Sequence, residues 1–172
     1  MPATIPLNLQ HVSPDQFEIR DFADEIRVDG LCVQLLLAVR DHLVTHQDVA
    51  PLEAGALAQG ADHFLREFVI AECHDNLLHL PVERVRQFAG HWYIVRTLEP
   101  NRAELGAILA GIDRCYRVLA EHGLVAAQLS AAIGTACADL DYYGQRIDDF
   151  WAIEGDGFTF WRAACPLPGR QA

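Results

Sequence analysis

Apolar residues along this chain recur every three or four positions, the period of an α-helix with one face turned to a core. The clearest stretch is Leu105, Ile108, Leu109, Ile112, Tyr116 and Leu119. It opens at Asn101 with Glu104 three residues on, a capping box. It closes at His122-Gly123-Leu124, where the glycine supplies the left-handed residue of a Schellman stop. Earlier in the chain, Leu31, Leu35, Val39 and Leu43 form a stripe with Cys32 and Leu36 beside it. So wide a stripe predicts the central, most buried helix, with Asp29 as its cap. Upstream, Ser13-Pro14-Asp15-Gln16 predicts a helix start, and a short helix over residues 14–27 carries Phe17, Phe22 and Ile26. Residues 1–12 alternate weakly through Ile5, Leu7 and Leu9 and read as an extended arm.

Pro51 restarts the chain, and Leu57, Ala61, Phe64 and Phe68 follow at helical spacing. Gly55 and Gly60 mark either close helix packing or a later start near Ala61. His74-Asp75-Asn76 breaks the pattern. Pro81 opens another helix with Val82, Val85, Phe88, Trp92 and Val95, which Glu99-Pro100 ends. Leu129, Ile133, Ala136, Leu140, Tyr143 and Ile147 mark the buried side of one long helix over residues 125–153, stopped by Gly155-Asp156-Gly157. Residues 158–172 read as an aromatic tail. The expected architecture is all-α, a bundle or orthogonal array of about five to six helices. It forms one domain over residues 1–172 without a dividing linker.

Hydrophobic residues make up 51% of the chain and charged residues 22%, a globular balance. The formal net charge is −11, and all 13 residues of the Lys+Arg total are Arg. Lysine Schiff-base chemistry and a Walker-type phosphate loop are therefore excluded. The negative field also opposes sequence-independent nucleic-acid binding and docking on anionic membranes. The 5 cysteines are scattered, with no Cys-x-x-Cys pair, which argues against a disulfide framework or a zinc knuckle. No apolar run approaches the ~18–20 residues of a membrane span, and the start of the chain lacks a basic segment leading into an apolar one. A cytoplasmic location is expected.

Phe64-Leu65-Arg66-Glu67-Phe68-Val69, residues 85–88 with Trp92-Tyr93-Ile94-Val95-Arg96, and residues 112–119 with Glu121-His122-Gly123-Leu124 carry a resemblance. Over about residues 61–125 the chain resembles uncharacterised helical domains of bacterial and archaeal proteins, some of which also carry a SEC-C metal motif. The SEC-C signature itself is absent here, so the resemblance implies a helical fold and carries over nothing about metal.

Three groups of residues are candidates for function. Tyr142, Tyr143, Trp151, Phe158, Phe160 and Trp161 concentrate aromatic area near one end of the chain, the composition of an interface centre. His42 and His46 lie four apart, as do His63 and Glu67; each pair shares a helix face, and the two pairs meeting would make a four-ligand metal site. A third set, Glu72, His74 and His79, falls in the connection that follows. Arg84, Arg86, Arg96 and Arg102, interleaved with His91, Trp92 and Tyr93, form a local basic cluster able to clamp an anion or nucleic acid. Ser13 and Ser130 are the only serines, and neither has a nucleophile-elbow context. The sequence points to a non-catalytic helical protein-interaction domain, expected as a homodimer, that needs no cofactor. The alternative is a metal-binding protein or metal-dependent enzyme holding a divalent ion on histidine and carboxylate ligands. A nucleic-acid-associated helical domain is the third reading.

Overall fold

Asp21, not Asp29, starts the first long helix. The computed structural model describes residues 7–169, and among them 74% are helical and none lies in a strand. Helix α1 spans Phe22–His46, with the Asp21 carboxylate accepting from the Asp24 N–H at 2.8 Å. The segment expected as a short helix over residues 14–27 is therefore two pieces. Pro14–Phe17 makes a 3-10 turn in which the Ser13 N–H donates to Gln16 Oε1, residues 18–21 are not helical, and residues 22–27 are the first part of α1. Asp29 lies inside α1, where its two oxygens accept a forked pair of hydrogen bonds from Arg66 at 2.8 and 3.0 Å. The arginine that engages Asp29 lies 37 residues further along the chain, outside any local pattern. Of the expected extended arm, Leu9–His11 is a 3-10 turn capped by Asn8, and residues 1–6 lie outside the described residues.

Helix α2, Pro51–Asp62, carries proline at its first turn, where the missing N–H costs nothing. It runs without a break into a π-helical segment, His63–Ile70. Helix α3 (Glu83–Gln87), a second π-helical segment (Phe88–Trp92) and α4 (Tyr93–Arg96) likewise form one rod. The π segments bring Phe64, Phe68, Phe88 and Trp92 together, with ring centroids 5.1–5.7 Å apart for Phe64–Phe88, Phe68–Phe88, Phe68–Trp92 and Phe88–Trp92. This aromatic knot is buried.

Helix α5, Arg102–Glu121, crosses α2 at backbone contact. A Cβ on Gly60 would sit 3.0 Å from Ile108 Cα, and one on Gly111 would overlap the Leu57 carbonyl. Gly60 thus marks close packing, and α2 starts at Pro51. The N-cap of α5 is made as expected, Asn101 accepting from the Glu104 N–H at 2.9 Å. The return arm of the box passes through a tyrosine: the Asn101 N–H donates to the Tyr93 hydroxyl, and that hydroxyl donates to Glu104 Oε2. At the other end Gly123 adopts φ +70°, and the Leu124 N–H reaches back to the Leu119 carbonyl at 2.9 Å.

The expected single helix over residues 125–153 is two helices, α6 (Ala127–Ala138) and α7 (Leu140–Trp151). Asp139 leaves the helical region, with φ −80° and ψ +44°. Tertiary contacts hold the break. The Arg86 guanidinium pairs with Asp139, Arg102 binds both Asp141 and the Leu140 carbonyl, and the Tyr143 hydroxyl donates to the Ala136 carbonyl. The expected tail is also corrected: Gly155 turns the chain at φ +58°, and Gly157–Ala164 forms helix α8. No helix among the described residues is long and apolar enough to cross a membrane.

Candidate functional site

Helices α7 and α8 divide the C-terminal aromatics between core and surface. Tyr143 is fully buried and Trp161 is 5% exposed, whereas Trp151, Phe158 and Phe160 are 60%, 41% and 76% exposed. Tyr142 is half-buried beneath the Arg86 guanidinium, 3.7 Å from the ring centre. Successive residues of a helix are ~100° apart. With Trp161 turned inward, Phe158 and Phe160 therefore emerge on either side of it. The rings run on from one to the next, Trp151 against Phe150, Phe150 against Trp161 and Trp161 against Phe158, at 5.2–5.8 Å. The result is an aromatic ridge through Trp151 and Phe158, with Phe160 emerging about 160° around α8 from Phe158. Exposed Asp148, Asp149, Glu154 and Asp156 border it in sequence, with Arg162 as the one nearby exposed cation in that stretch.

Beneath the ridge lies a polar core that the sequence did not advertise. Arg146, 5% exposed, donates from Nε to the Gly90 carbonyl at 2.9 Å and stacks over Trp161 at 4.0 Å, and its Nη2 is buried without a hydrogen-bond partner. The Trp161 indole N–H donates to the Arg146 carbonyl, so the ring is fixed from both sides. His91 bonds through Nδ1 to the Cys165 carbonyl at 2.6 Å. Burial pushes the His91 pKa below its ordinary value, against the pull of that hydrogen bond, and Arg146 and Arg162 push the same way.

The two histidine pairs do not meet. His42 and His46 stand at the end of α1, next to the start of α2, and His63 follows the far end of α2. The 12 residues of α2 put about 18 Å between those ends. His63 pairs with Glu67 at 3.2 Å and packs edge-on against Phe88. His42 instead finds His122 and Glu121, at the end of α5. Its ring stacks on His46 and meets His122 edge-on, both at 4.8 Å, and its Nε2 lies 3.1 Å from Glu121 Oε2. His122 and Glu121 were legible in sequence only as a helix stop; no local pattern says that α5 ends beside α1. As the side chains stand, no three His, Cys, Asp or Glu groups among the described residues converge on a metal position.

The four arginines are dispersed, each on its own carboxylate. Arg84 pairs with Asp75, Arg86 with Asp139, Arg96 with Glu72 and Arg102 with Asp141. A guanidinium already neutralised in this way offers little to a phosphate backbone.

A cavity of about 570 Å³ lies where the first π segment ends, lined by Glu72, Cys73, His74, Asp75, Arg84 and the Leu167–Gly169 stretch, among others. His74 holds a left-handed backbone, φ +54°, and pairs with Glu25. Burial raises the Cys73 thiol to about 12, so it stays protonated at neutral pH and is no ready nucleophile. Burial likewise raises Cys115 and Cys137 to about 12, and Ser130 is buried within α6. No protein-family model, curated protein sequence or solved structure matches this chain.

Proposed function

We propose that the protein is a non-catalytic helical interaction domain that pairs with a second copy of itself through the α7–α8 ridge. The observation that carries this reading is the exposure of Trp151, Phe158 and Phe160 on one short stretch of chain. Large aromatic side chains bury about 150–250 Å² each, so at these exposures the three rings present on the order of 350 Å². A standard interface takes about 800 Å² from each partner, and its anchors are typically Trp, Tyr and Arg. The ridge with Phe160 flanking it amounts to nearly half of that area, in side chains of the anchoring kind. In a two-fold pairing each copy offers the same patch to the other.

Sedimentation equilibrium on untagged protein tests the proposal. The expected result is a concentration-dependent dimer that the double variant Trp151→Ala/Phe160→Ala turns into a monomer with unchanged circular dichroism. A monomer at all concentrations, or a dimer indifferent to the two substitutions, contradicts it.

A further inference from the structure

We propose that His42, His46 and His122 form a binding site for a divalent transition-metal ion of the zinc type, at the seam between the ends of α1 and α5. The hydrogen bonds fix the tautomers. Glu121 accepts only, so the His42 proton sits on Nε2, 3.1 Å from Glu121 Oε2, and the lone pair is on Nδ1. The Thr45 hydroxyl spends its hydrogen on the Asp41 carbonyl at 2.7 Å. His46 must therefore donate from Nδ1 to Thr45 Oγ1, also at 2.7 Å, leaving its lone pair on Nε2. A ring N–H held by a carboxylate, with the opposite nitrogen left free, is the arrangement that orients metal-binding histidines, and His42 has it.

The third imidazole is already in place. His122 Nε2 lies 3.2 Å from His42 Nδ1. Two nitrogens bound at about 2.05 Å to one tetrahedral ion are about 3.3 Å apart. Without an ion, a single proton on His122 Nε2 bridges that gap. With one, the proton moves to His122 Nδ1 and both nitrogens ligate. The carboxylate behind His42 is itself held, since the Gln47 amide donates to both Glu121 oxygens and Arg114 donates to Gln47. A cavity of about 370 Å³ opens onto all three histidines, with Asp41, Asn8 and Gln10 also on its wall. His46 is exposed, and turning its ring off Thr45 toward the other two completes a three-nitrogen face, with the cavity leaving a fourth position for water.

The test is isothermal titration of Zn²⁺ into untagged, chelator-stripped protein, with Co²⁺ absorption as an independent report of coordination. The expected result is one ion per chain and a visible Co²⁺ band of tetrahedral intensity. His42→Ala and His122→Ala each abolish both, and Glu121→Gln weakens Zn²⁺ by about 10–100-fold. His63→Ala, in the separate pair, leaves binding intact. Circular dichroism confirms that each variant is folded. No heat and no Co²⁺ band in the wild-type protein overturns the proposal. So does binding that survives the double variant His42→Ala/His122→Ala, or that is lost in His63→Ala. None of these residues lies on the α7–α8 ridge, so this outcome and that of the dimer experiment are independent.

Discussion

Phe160 and Trp161 are adjacent in the chain, yet one is 76% exposed and the other 5%. Sequence reading groups them by type. Only the helix that begins at Gly157 separates them by direction, and its start is hidden in a Gly-Asp-Gly run that reads equally well as an ending. The two substitutions therefore have opposite consequences. Trp161→Ala removes a ring packed on Arg146, His91, Phe150 and Phe158 and is expected to cost about 3–5 kcal/mol in urea unfolding. Phe160→Ala is expected to change monomer stability by less than about 0.5 kcal/mol. Equal effects would mean that Trp161 is not in the core. His91 gives a pH signature at the same place. Its folded pKa lies below the ordinary 6.5, so on acidification the unfolded chain takes up a proton that the folded chain resists. The stability it contributes is full above about pH 6.5 and is lost as pH falls through the folded value. Urea midpoints of wild type should thus fall more steeply between about pH 7 and 5 than those of His91→Gln; parallel curves would contradict the assignment.

At the scale of elements, Gly55 of α2 and Gly111 of α5 are a matched pair of experiments. Gly55 has nothing within 4 Å of where a Cβ would stand, while Gly60 lies on the backbone of α5 and Gly111 lies on the backbone of α2. Gly55→Ala should stabilise the protein by about 0.5–1 kcal/mol through helix propensity. Gly111→Ala should destabilise it by about 1–3 kcal/mol by forcing the α2–α5 crossing apart. Thermal melts of the two variants should shift in opposite directions; shifts of the same sign would refute the crossing. Sequence reading left the role of Gly55 and Gly60 open because the partner backbone, at Ile108 of α5, is far along the chain. The same limit explains the misplaced boundaries. The helix over residues 105–119 was legible because its caps are local, at Asn101 and Gly123. The break at Asp139 was not, because the arginines that hold it, Arg86 and Arg102, come from other helices. The all-α class survives such errors, since it rests on periodicity alone.

For the whole molecule, charge decides what association should look like. The chain carries −11, and four exposed carboxylates border the ridge against one Arg162. Two copies meeting there repel through their rims while burying their aromatic centres. Raising salt shortens the Debye length from about 10 Å at 0.1 M toward 3 Å at 1 M, so the dimer should tighten with NaCl. Of the candidate residues, the sequence could name the aromatics but not sort them, and it could pair His42 with His46 but not find His122 and Glu121. Both shortfalls are tertiary: one depends on which way α8 faces, the other on α1 and α5 ending side by side. Amide hydrogen exchange, measured at low and high protein concentration, tests the location of the interface directly. If two copies dock through the ridge, exchange slows with concentration in α8 and the end of α7, around residues 148–164, and nowhere else. Exchange there that ignores concentration, or protection that develops on α1 and α2 instead, would contradict the account.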